Sequence, residues 1–142
     1  MALRQGNATT NMKKTSKPAK PHHLFGHGRL SYIQIPATNV HESAKFYSSV
    51  FGWKVRGGSE EHLSFTDATG NIIGAWVTDL AVSRVARILP YIYVHGIDAM
   101  VERIKANGGE IVKPVYAEGD LWVALFQDSA GNVIGIWQQG PR

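Results

Sequence analysis

The sequence predicts an α+β fold of two tandem βαβββ modules behind a basic arm, and three observations carry that prediction. The stretch Phe65-Thr66-Asp67-Ala68-Thr69-Gly70-Asn71-Ile72-Ile73-Gly74-Ala75-Trp76 recurs as Phe126-Gln127-Asp128-Ser129-Ala130-Gly131-Asn132-Val133-Ile134-Gly135-Ile136-Trp137, at a constant offset of 61 residues with seven identities. Duplication at such a period marks two like units stacked together. Each copy also follows the same order of strand, helix and two strands. Finally, 142 residues at 44% hydrophobic content suffice for one domain, or for two small halves sharing one core.

Residues 1–28 are polar, rich in Thr, Asn and Lys, and lack periodicity, which predicts a disordered arm. Met12 reads as an alternative start, with the first eleven residues as an extension. His22, His23 and His27 crowd the end of the arm, in a Pro/Gly-flanked cluster of the kind that binds metal adventitiously. Arg4, Lys13, Lys14, Lys17, Lys20 and Arg29 all precede the first acidic residue, Glu42; taking these six from the net charge of +4 leaves −2. The basicity therefore belongs to the arm, and the folded part offers no electrostatic reason to bind nucleic acid. The arm's lysines carry no interleaved aromatics and no amphipathic pattern, which argues against a membrane surface as well.

The first module, about 30–78 of a domain over 29–139, starts with a strand at Ser31–Pro36. Asn39 with Glu42 three residues on is a capping box, and Val40, Ala44, Tyr47, Val50 and Phe51 give the buried stripe of the helix that follows. Gly52 ends it, and Trp53-Lys54-Val55 starts a second strand. Gly57-Gly58 turns the chain into a third strand at His62–Thr66. In the repeat, Asp can hydrogen-bond backbone two residues on and Gly-Asn tolerates positive φ, so each copy reads as strand, tight turn and returning strand. Beyond the first turn Ile72, Gly74 and Trp76 share one face, and Ile73, Ala75 and Val77 the other.

Asp79–Leu89 links the halves, with Arg84 and Arg87 on a solvated loop. The second module, about 89–139, repeats the plan with a strand at Tyr91–Val94 and a helix capped by Asp98. Met100, Val101 and Ile104 face inward, and Asn107-Gly108-Gly109 closes the helix. A strand at Glu110–Lys113, a loop at Pro114–Asp120 and a strand at Leu121–Phe126 lead into the second repeat.

Ile35-Pro36-Ala37-Thr38-Asn39-Val40, Phe46-Tyr47 with Phe51-Gly52-Trp53, and Ile104–Gly109 with Asp128-Ser129-Ala130-Gly131-Asn132 together resemble the vicinal oxygen chelate superfamily of glyoxalases, bleomycin-resistance proteins and extradiol dioxygenases. Residues 88–94 and 118–124 are similar to its glyoxalase-related branch. The resemblance implies eight strands forming a cupped sheet around a cavity, and a homodimer. It also implies metal-ligand positions on the first and last strand of each module, which here are Tyr32, Gly74, Tyr91 and Gly135. Glycine has no ligand atom and neutral tyrosine is a poor ligand for zinc or nickel, so no bound catalytic metal and no cofactor are expected. A rearranged site would draw on Gln34 and His95, with His62 nearby; otherwise His95 ends a strand and His62 sits on a solvent-facing edge.

Strand parity then puts Tyr32, Gln34, Ile72, Gly74, Trp76, Tyr91, Tyr93, Val133, Gly135 and Trp137 on the cavity face, with Trp122 joining according to its phase. Aromatic rings around mid-strand glycines suit a small, mostly apolar or aromatic ligand, held by Tyr32, Trp76, Tyr91, Tyr93 and Trp137 and oriented by Gln34. The same rings also read as core packing or a dimer interface. Glu118 and Asp120 are the nearest carboxylates for a general base, or else solvated loop charges around Gly119. No Ser/His/Asp constellation, phosphate loop or dinucleotide fingerprint occurs. The expectation is a small-molecule binding protein of the glyoxalase/bleomycin-resistance type. The alternatives are a lyase- or isomerase-type enzyme, with a rearranged metal site or a carboxylate base, and a pure interaction module. With no Cys, no apolar run of about 20 residues and no signal-peptide core, a cytoplasmic protein is expected.

Overall fold

The structure, a computed structural model, describes residues 24–27, 29–57, 62–85 and 88–142. The expected arm lies outside the described residues except for 24–27, as do His22, His23, Gly58 and Arg87. The described strands form two four-stranded sheets. The first orders β2 (Lys54–Arg56), β3 (His62–Thr66), β4 (Ile73–Val77) and β1 (Tyr32–Pro36); the second orders β6 (Glu110–Glu118), β7 (Leu121–Gln127), β8 (Val133–Gln139) and β5 (Tyr91–Tyr93). β1 and β2 run parallel at opposite edges, which no hairpin can achieve, so α1 (Val40–Phe51) carries the chain across. In the second sheet α2 (Ile97–Ala106) does the same.

α1 begins where Asn39, in extended backbone, accepts the Glu42 N–H at 3.0 Å, and it ends at Gly52 with φ 73°. Its buried residues exceed one stripe. Phe46 and Ser43 are buried alongside Val40, Ala44, Tyr47 and Val50, because α1 is flanked by both modules. Phe46 and Phe51 lie with ring centroids 6.2 and 5.8 Å from Phe126 of the second module, joining the two halves in one core.

Two expected elements differ. Asp98 is not the cap of α2. Gly96 holds that position with φ 81°, and the buried Ile97 N–H goes to Gln138 Oε1 at 2.5 Å. Asp98 sits in the first turn, where its carboxylate faces Arg142 Nε at 2.9 Å. The expected loop at Pro114–Asp120 is largely strand, since β6 runs on to Glu118 with register shifts between Ile111 and Tyr116. An edge strand tolerates proline at such an irregularity, because the missing N–H would otherwise point at solvent.

Candidate functional site

The two hairpins of the repeat differ in register by one residue. In the first, Phe65 lies opposite Gly74; in the second, Phe126 lies opposite Ile134, the equivalent of Ile73. A slip of one residue turns every side chain of the returning strand to the other face. Gly74 and Trp76 therefore share the helix side of the first sheet with Ile33, Ile35, Leu63 and Phe65. Trp76 is fully buried, 4.8 Å from Phe65 and 5.8 Å from Tyr47 by ring centroid. This corrects the expected cavity face. Tyr32 and Gln34 lie in register with Ile73 and Ala75, on the side opposite Gly74 and Trp76.

In the second sheet the expected set stays together. Tyr91 pairs with Gly135 and Tyr93 with Trp137 on the face turned away from Ile134 and Ile136. A Cβ on Gly135 would collide with the Tyr91 ring, so the glycine is what lets that ring lie against the sheet. Tyr93 meets Trp137 edge-on at 4.7 Å. Partial burial raises the Tyr91 phenol above its ordinary value, as do neighbouring Tyr116 and Glu118, while Lys113 lowers it. Trp122 belongs to the other face, in register with Gln138, and carries the Arg142 guanidinium 4.8 Å above its ring.

Between the modules runs a cleft of about 620 Å³. One wall is the helix side of β1 (Ile33, Ile35), the end of α1 (Tyr47, Ser48, Phe51), Trp53, Phe65 and the first repeat turn. The other is the stretch from Pro90 to His95, which contains all of β5, with Met100 and Arg103 from α2. The lining is mainly aliphatic and aromatic, with Arg103, His95 and Asp67 as its ionisable groups besides the tyrosines. The Asp67 carboxylate is taken up by its own turn, accepting from the Asn71 and Ile72 N–H groups and from Thr69 Oγ1. Of the expected ligand residues, Tyr91 and Tyr93 border this cleft, whereas Tyr32, Gln34, Gly135 and Trp137 lie on the sheet faces outside it. Phe51 and Met100 read in the sequence only as core. Trp53 reads in the sequence only as the start of a strand and as part of the family resemblance, and the one signal for Arg103 is its position, a cation one turn beyond Met100.

The alternative chemistry finds less support. Glu118 and Asp120 are exposed at the β6–β7 turn and neither lines the cleft. The four metal positions implied by resemblance offer two phenols and two glycines, and Gly74 faces away from Tyr32, so these residues do not fit a metal. Gln34 lies outside the cleft that His95 borders, and among the described residues no group of three or more His, Cys, Asp or Glu converges. His95 follows the end of β5, and His62 is exposed at the start of β3, an interior strand and not an edge.

The cleft is braced from the second module by a buried carboxylate. Asp128 accepts the Tyr47 hydroxyl at 2.8 Å, the Asn132 side-chain amide at 2.8 Å, and the N–H groups of Ala130, Gly131 and Asn132. Asn132 in turn donates to the Pro36 carbonyl at 2.7 Å. Burial, then the Asp128 charge, holds the Tyr47 phenol well above its ordinary value.

Residues 29–136 match the family model of the Glyoxalase/Bleomycin resistance protein/Dioxygenase superfamily. Over 123 residues the chain is 34% identical to a glyoxylase-like domain-containing protein of Didymella fabae, covering 78% of this chain and 93% of that one. It spans only 47% of the length of two mycobacterial relatives to which it is 26% identical. Among solved structures it is similar to FosX, a fosfomycin resistance protein from Listeria monocytogenes, with TM-score 0.67, 17% identity and coverage of 80% and 94% of the two chains. It is also similar to TnmS3, an antibiotic binding protein from Streptomyces sp. CB03234, with TM-score 0.65, 16% identity and coverage of 82% and 99%. At these identities the structural likenesses establish the fold.

Proposed function

The chain belongs to the Glyoxalase/Bleomycin resistance protein/Dioxygenase superfamily, and from that premise we propose that it is a cytoplasmic, homodimeric small-molecule binding protein. The observation that carries this reading is the cleft. About 620 Å³ of mainly apolar lining matches the roughly 300–1,000 Å³ of pockets that take drug-sized ligands. Trp53 and Phe51 give the cleft an aromatic lining suited to a mostly apolar or aromatic ligand, and Tyr91 and Tyr93 border it along the β5 edge while their rings lie on the outer sheet face with Gly135 and Trp137. Binding is favoured over carboxylate chemistry because Asp67, the one carboxylate among the described lining residues, is taken up by its own turn. FosX and TnmS3 lend precedent, since their names tie this scaffold to antibiotic resistance and antibiotic binding.

The neutral fluorescent probe N-phenyl-1-naphthylamine tests the reading. One probe per protomer is expected to bind. Ser48→Trp, a substitution at an exposed helix residue lining the cleft, is expected to weaken binding at least about tenfold by filling the space. Equal binding by both proteins would place any ligand elsewhere. Dimerisation is supported by Tyr32, Tyr91 and Tyr93, which are 51, 45 and 44% exposed beside the free edges of β1 and β5. Sedimentation of Tyr32→Lys is expected to show a monomer where the wild type shows a dimer.

A further inference from the structure

The mainly apolar cleft carries one strong cation in its lining. Arg103 on α2 is the single Lys or Arg among its described lining residues, and it has no ion-pair partner among the described residues. Among the described residues its guanidinium makes one hydrogen bond, from Nη2 to the Ser49 carbonyl at 3.3 Å. A guanidinium carries five N–H donors in a rigid fork, so most remain to be used. The one carboxylate in the lining, Asp67, already accepts three hydrogen bonds from its own turn. The facing wall carries Ile33, Phe51 and Trp53, none of which bears an anionic group to pair with it.

We propose that the cleft selects amphipathic monoanions: an aromatic or alkyl body seated on Trp53 and Phe51, with a carboxylate or sulfonate paired to Arg103. The proposal rests on the reading of the cleft as the ligand site and adds the ligand's charge class. A fork-shaped donor at the rim favours a planar or trigonal anionic group, which it can engage through two N–H donors at once. The Ser49 carbonyl anchors one arm of the fork and so reduces the freedom lost when the anion arrives.

Two probes sharing one ring system isolate the charge. 8-Anilinonaphthalene-1-sulfonate is N-phenyl-1-naphthylamine with a sulfonate added. The wild-type protein is expected to bind the sulfonate about tenfold more tightly than the neutral probe, the size of one charge-assisted hydrogen-bond pair at a solvated rim. In Arg103→Gln the ratio of the two affinities is expected to fall to near one, with Arg103→Lys between them. Raising salt from about 0.02 M to about 0.5 M should erode the wild-type ratio but not that of Arg103→Gln. Far-UV circular dichroism establishes that the variants are folded, as expected for an exposed residue. Equal affinities in the wild-type protein, or a preference that survives Arg103→Gln, overturn the proposal and leave the cleft standing as a neutral-ligand site. Sulfonate binding that is indifferent to Ser48→Trp, or no binding of either probe, overturns it together with the reading beneath it.

Discussion

Asp67 and Asp128 hold the same place in a repeated stretch, yet their turns close differently. The Asp67 N–H bonds the Ile72 carbonyl at 2.9 Å, whereas the Asp128 N–H bonds Asn132 at 2.8 Å, one residue sooner. The first carboxylate receives Thr69 Oγ1 and two backbone N–H groups in an exposed turn. The second collects three backbone N–H groups, the Asn132 amide and a phenol from the other module, and is buried. One residue of turn length turns Trp76 into core and leaves Trp137 on an open sheet face. The difference teaches that a repeat can conserve letters while its two copies do different physical work, one a local turn and the other a clasp between modules.

The comparison breaks most readily at the carboxylates. Asp128→Ala is expected to lower stability by about 3–5 kcal/mol, because it strands buried donors from both modules, while Asp67→Ala costs about 1 kcal/mol. Urea denaturation reads both, and equal losses would refute the distinction. The tryptophans come next. Trp76→Ala should cost about 3–4 kcal/mol as a core cavity, and Trp137→Ala about 1–2 kcal/mol. A larger loss at Trp137 would mean that the register difference is wrong.

The glycines sharpen it further. A Cβ on Gly74 meets the Ile33 carbonyl and the Phe65 ring, neither free to move, so Gly74→Ala should cost about 2 kcal/mol. On Gly135 it meets the half-exposed Tyr91 ring, which can swing away, so Gly135→Ala should cost less than about 1 kcal/mol. The smallest effect concerns pH. The native protein holds Tyr47 protonated above its ordinary value, so its contribution is complete below about pH 10 and drains away above it, as the unfolded chain releases the proton more readily. Between about pH 9 and pH 11 the wild-type denaturation midpoint should fall more steeply than that of Tyr47→Phe; parallel slopes would separate Tyr47 from the clasp.

The order of strands and helices was legible in the amino acids because each signal is local. Asn39 with Glu42 starts α1, Gly52 stops it, and Asp with Gly-Asn bends each hairpin within a few residues. The family was legible for the same reason, as a set of short motifs spread along the chain. Asp98 misled because a carboxylate before an apolar run looks like a cap, while the group that receives the α2 N-terminus, Gln138, lies 41 residues away. Pro114 misled because only pairing with β7 shows that it sits at an irregular edge. Face assignment failed across β1 and β4 alone. Parity within a strand follows from its own sequence, but which face meets which partner depends on the number of residues in a turn, and Asp-Gly-Asn tolerates either length. The cleft was decided wholly by tertiary structure, since its walls come from β1, α1, β5 and α2, brought together only when Phe46 packs on Phe126 and Tyr47 reaches Asp128. Local chemistry wrote the elements; long-range packing, which no stretch of sequence states by itself, chose what they enclose.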